Sequence, residues 1–80
     1  MKIAADEKEL GQKASRYLKS RMKQRGVTYA ELAKRLNEQH GLEETEASIT
    51  SKLARGTFAA TWLLATIAAL ELEGVRLEDL

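Results

Sequence analysis

The sequence contains no cysteine and no proline, a single histidine (His40), and only four aromatic side chains among 80 residues. Without cysteine there can be no disulfide, thiolate metal site or cysteine nucleophile. One histidine leaves no histidine-pair zinc site within a chain. The longest uncharged run, Thr57 to Leu70, is 14 residues and is broken by three threonines. A membrane span needs about 20 apolar residues. Met1 to Ala5 is too short for a secretory leader, and the charges of Asp6, Glu7, Lys8 and Glu9 follow at once. These absences favour a cytoplasmic chain with no cofactor, no metal and no membrane partner.

What remains is the composition of an ordinary small globular protein, 44% hydrophobic and 31% charged. The length fits a single domain over residues 1–80. A chain this small buries only roughly 60–65% of its unfolded surface, so dimerisation would add stability. The net charge of +1 conceals a segregation. Residues 13–35 hold eight Lys/Arg and one Glu, whereas residues 36–46 hold four Glu and no base. The last ten residues carry −3. The whole chain therefore lacks a strongly basic nucleic-acid signature, but one positive face is available.

Four of the five glycines (Gly26, Gly41, Gly56, Gly74) fall 15 to 18 residues apart, the spacing of short helices with glycine stops. A first helix starts at Asp6, with Glu9 at the capping-box position, and stops at Gly26. Leu10, Ala14, Leu18 and Met22 form its apolar stripe, widened by Tyr17. Thr28 and Glu31 open a second helix, stapled by Val27 and Leu32 and closed at Gly41. A third helix runs from about Thr45 to just before Gly56 and is anchored by Ile49 and Leu53. The fourth, within Thr57 to Glu73, is apolar nearly all round and should be central. Val75 to Leu80 alternates apolar and charged residues, which suits a short strand, an extended tail or a fifth helix. The expected core is Leu18, Met22, Leu32, Ala33, Leu36, Ile49, Leu53, Trp62, Leu63, Ile67 and Leu70.

No constellation points to catalysis. Glu43, Glu44 and Glu46 cluster where a helix begins, and acids there stabilise the helix dipole. Ser48 and Ser51 have no nearby histidine or aspartate to activate them, and no glycine-rich phosphate loop is present. The expectation is that the protein is not an enzyme. The order helix, glycine-bearing turn, helix across residues 28–56 matches the helix-turn-helix unit, whose second helix enters the DNA major groove. Ser48, Ser51, Lys52 and Arg55 share a small, polar, cationic face, which suits base edges and phosphates. An ordinary solvated face has the same spacing.

At this point the residues resemble a known family. "VTYAELAKRL" is similar to the second helix of lambda-repressor-like (Cro/repressor-type) helix-turn-helix domains, and "KLARG" to the end of their recognition helix. "LLATIAAL" followed by "VRLEDL" is similar to the helix and tail that come next. More narrowly, "TYAELA", "EETEA" and "KLARGTF" resemble a group of short bacterial domains of unknown function. Three features depart from the family pattern. The turn through Gly41 to Glu44 is longer, Tyr29 replaces a glutamine, and Ile49 and Leu53 are four apart rather than three.

The resemblance implies an all-α bundle of four or five helices that places residues 45–55 in the major groove. Thr28 and Tyr29 would touch the DNA backbone. Thr45 would cap the recognition helix, and Ser48, Ser51 and Lys52 would contact bases or phosphates. Lys34, Arg35 and Arg55 would anchor phosphates, with packing against Glu31 as the alternative for Arg55. The implied function is transcriptional regulation by binding double-stranded DNA as a homodimer. Dimer surfaces would be the fourth helix and Val75 to Leu80. The competing expectation is a helical protein-interaction module, an adaptor or toxin-neutralising partner, anchored by exposed Phe58 and Trp62.

Overall fold

The structure, a computed structural model, describes residues 4–80, so the reading of Met1 to Ala5 falls largely outside the described residues. Four helices follow one another: α1 (Glu7–Arg25), α2 (Tyr29–His40), α3 (Glu46–Arg55) and α4 (Ala60–Ala69). The expected all-α class holds. Among the described residues there is no strand, and no helix is long and apolar enough to cross a membrane.

The first three helices begin at side-chain caps and end at glycines. Asp6 accepts from the Glu9 amide, Thr28 from the Glu31 amide and Thr45 from the Ser48 amide. Each such cap satisfies an amide that the first turn leaves unpaired, which is worth roughly 1 kcal/mol. Gly26, Gly41 and Gly56 close the three helices in the left-handed conformation. Val27 belongs to both neighbouring helices. Its amide donates to the Met22 carbonyl at the end of α1, and its buried side chain lies one residue ahead of the α2 cap.

The core joins all four helices. Leu18 and Met22 from α1, Leu32, Ala33 and Leu36 from α2, Ile49 and Leu53 from α3, and Trp62 from α4 belong to one buried cluster. The main pairings are α2 with α4, α1 with α3, and α2 with α3. At the α1–α3 crossing the backbones nearly touch. A Cβ built on Gly11 would lie under 3.0 Å from the Gly56 carbonyl oxygen.

One expectation needs correction, and one open alternative is resolved. Leu63 and Ile67 are only partly buried, and the inward positions of α4 belong to Trp62, Thr66 and Ala69. A helix without a charged face gives hydropathy nothing to orient it. Thr66 can be wholly buried because its hydroxyl donates to the Trp62 carbonyl at 2.9 Å. The alternating tail forms no strand but a single 3-10 turn at Leu77–Asp79. The Asp79 carboxylate accepts from the Arg76 amide, which fixes a turn, and among the described residues no neighbouring strand is available to pair an extended segment.

Candidate nucleic-acid interface

The residues singled out in the sequence divide into those used inside the fold and those left facing outward. On α2, Thr28 is the N-cap, Tyr29 packs half-buried against the core, and Lys34 is exposed opposite Leu32, Ala33 and Leu36. Arg35 is half-buried and held by internal partners. Its Nη1 donates to the Ala69 carbonyl at 2.9 Å and its Nε to Glu31 Oε1 at 3.2 Å. Glu31 is thus paired with Arg35, not with Arg55.

The five-residue connection from Gly41 to Thr45 is built around Glu44. Asn37 grips the Glu44 backbone at both ends: Nδ2 donates to its carbonyl at 3.0 Å, and Oδ1 accepts from its amide at 2.7 Å. The Glu44 carboxylate turns inward until its side chain is only 9% exposed. There it accepts from Ser48 Oγ at 2.6 Å and from Lys52 Nζ at 3.1 and 3.0 Å. Burial pushes the Glu44 pKa up. The Ser48 hydroxyl and Lys52 ammonium outweigh it, and the net result lies below the ordinary glutamate value. The Trp62 indole N–H is near enough to contribute to that lowering but does not reach hydrogen-bond geometry, so it is buried without a partner. Lys52 Nζ also stands 5.9 Å from the Trp62 ring centroid.

Three of the α3 candidates are therefore parts of this network. Thr45 and Ser48 form a reciprocal capping box, and Lys52 is the counter-ion of Glu44. Ser51 and Arg55 are exposed, and neither has a hydrogen-bond or ion-pair partner among the described residues. Ala47 and Ala54, also exposed, flank them. From Ala47 to Arg55 the outward face of α3 has no acid.

The sequence reading of Glu44 as a helix-dipole acid misses its role as the hub of this network. Most of that charge is neutralised internally. The spacing Glu44, Ser48, Lys52 (i, i+4, i+8) was a usable signal, since it sets all three on one side of a helix extended by one turn. The grip by Asn37 had no comparable signal.

Among the described residues no group of three His, Asp or Glu side chains could hold a metal. No curated protein and no solved structure matches the chain. A family model described as a domain of unknown function, DUF6471, matches residues 10–75, and the chain belongs to that family.

Proposed function

We propose that the protein binds double-stranded DNA as a small transcriptional regulator, with α2 and α3 acting as a lambda-repressor-like helix-turn-helix and α3 entering the major groove. The observation that carries this reading is the outward face of α3. Ser51 and Arg55 are free donors, Ala47 and Ala54 are small enough for close approach, and no acid interrupts the face. The α2–α3 connection supports the same reading. Glu44, which would repel phosphate if exposed, is turned inward and paired, and the pairing fixes α3 against the core. Direct contact is assigned to Ser51 and Arg55, while Ser48 and Lys52 position the helix. A homodimer on a two-fold site supplies the affinity that one small module lacks. Its interface is the uncharged outer side of α4, where Leu64 is 64% exposed.

The test is fluorescence anisotropy with a random-sequence duplex at two salt concentrations. Salt-sensitive binding that Arg55→Glu abolishes supports the reading. Absence of binding at low salt refutes it.

One observation favours the second reading, a protein-interaction module. An open apolar groove of about 610 Å³ lies beside Trp62, lined by Leu42, Ala59, Leu64 and Ala65. Trp62 itself is 5% exposed and cannot be the anchor, so any partner would engage Leu64.

A further inference from the structure

The fold leaves one row of cations without an internal role. Gln12, Arg16, Lys19 and Lys23 follow at i, i+4, i+7 and i+11 and so share one face of α1. All four are exposed, and the three cations have no ion pair or hydrogen bond among the described residues. The row contains no acid. It runs beside α3, because Gln12, Arg16 and Lys19 line a shallow groove whose other wall is Leu53 and Ala54. Ala54 belongs to the same outward face as Ser51 and Arg55. The near-contact of Gly11 with Gly56 draws α1 this close.

The other flank of α3 differs in charge. Lys52, on the side away from Ala54, is committed to Glu44, and Glu43 is exposed in the connection that leads into the helix, while Glu46 lies at the far end of the Ala54 side. Among the cations of α2, Arg35 is committed to Ala69 and Glu31, and Lys34 points away from the core. A helix with its side chains is about 10–12 Å across and fills a major groove about 12 Å wide. The phosphates of the groove walls then meet the elements beside that helix. The flank formed by α1 supplies three cations that no internal partner holds.

We propose that Arg16, Lys19 and Lys23 of α1 form a phosphate-anchoring row for duplex DNA, so that the DNA-binding surface is the α1–α3 face rather than the α2–α3 face. The proposal rests on the DNA-binding reading of α3 above and assigns its backbone contacts to a different helix. A row about 10 Å long spans several phosphates of one strand. Electrostatic anchoring of this kind fixes register without reading sequence, and the exposed residues of α3 are left free for base edges.

The experiment compares the full chain with the triple variant Arg16→Ala, Lys19→Ala, Lys23→Ala, with Arg55→Ala, and with Lys34→Ala as an exposed cation outside the proposed surface. Circular dichroism melting verifies that each variant is folded. Binding to a labelled random-sequence duplex is followed between 50 and 200 mM salt. Each lost phosphate contact lowers the slope of log K against log salt by about 0.9, so the triple variant should lose about 2 to 3 units of slope and at least about tenfold in affinity at the lower salt. Lys34→Ala should retain the wild-type slope. The proposal is overturned if the triple variant keeps its slope while Arg55→Ala loses affinity, which leaves DNA binding by α3 intact. It is also overturned if Lys34→Ala costs as much slope as one-third of the triple variant, because attraction is then spread over the surface. Failure of the wild-type chain to bind any duplex removes the underlying reading as well. In that case, row-dependent binding to vesicles containing phosphatidylserine would assign the cations to a membrane surface.

Discussion

Gly11 offers the sharpest test of the packing that sets α1 against α3. In the middle of a helix, replacing glycine with alanine normally stabilises by about 0.5–1 kcal/mol. Here the new methyl group would meet the Gly56 carbonyl oxygen at less than 3.0 Å and its carbon at 3.1 Å. Both obstacles are backbone, so no side-chain rotation relieves them. The two helices must separate by something near 1 Å, given a normal carbon contact of about 3.5 Å or more. Overpacking of this kind costs about 1–3 kcal/mol, and alanine propensity offsets only part of it. Gly11→Ala is therefore expected to destabilise by about 1–2 kcal/mol, a fall in Tm of roughly 4–16 °C for a domain of this size. Thermal and urea unfolding followed by circular dichroism would measure it. Gly74→Ala is the control: a Cβ there meets nothing within 4 Å, and its effect should stay within about 0.5 kcal/mol. An unchanged or higher Tm for Gly11→Ala would refute the close α1–α3 approach, and with it the joint face built on that approach.

Other consequences can be checked separately. Glu44 has a lowered pKa in the folded state, so its contribution to stability is present above its ordinary value of 4.5 and is lost as pH falls through the lower folded value. Urea unfolding from pH 7 to pH 3 should show Glu44→Gln less stable than wild type near neutrality, with the gap closing in acid; a constant gap would dismiss the ion pair as its source. Lys52→Glu would set two carboxylates against each other beside Trp62 and should lower Tm, whereas Arg55→Ala should leave Tm within about 4 °C of wild type and act only on the proposed DNA binding. Equal Tm losses would contradict the division between positioning and exposed residues. Glu71 is the one non-glycine residue with positive φ among the described residues, at 59°. Glu71→Gly should raise stability by up to about 1 kcal/mol, and a loss of stability would mean that the side chain makes a contact outweighing its backbone strain.

Local chemistry made the fold largely legible. Thr28 with Glu31 and Val27 with Leu32 marked the start of α2, and the glycines marked three helix ends, because caps and left-handed stops act over a few residues. Ile49, Leu53, Leu32 and Leu36 were found by helical spacing for the same reason. The facing of α4 was not legible. Its apolar residues surround the helix, and only the surroundings decide that Thr66 turns in and Leu64 out. At the candidate site, spacing indicated which residues face outward but not which are held by partners. Ser51 and Arg55 stayed outside as expected, whereas Lys52, Ser48 and Arg35 were drawn into partnerships set by tertiary structure. Gly11 carried no signal at all, since its importance depends on a carbonyl 45 positions away in sequence.

The bond from Arg35 to the Ala69 carbonyl has a consequence for folding. α4 has no side-chain cap at its start, no charged residue within it, and no glycine stop at its end. One of its terminal carbonyls is satisfied by α2, a helix 34 positions earlier in the chain. α4 is thus not an autonomous folding unit: removed from α2, it loses both its apolar cover and part of its terminus. In native-state hydrogen exchange the amides of α4 should open together with those of α2, as a single cooperative segment that is discontinuous in sequence.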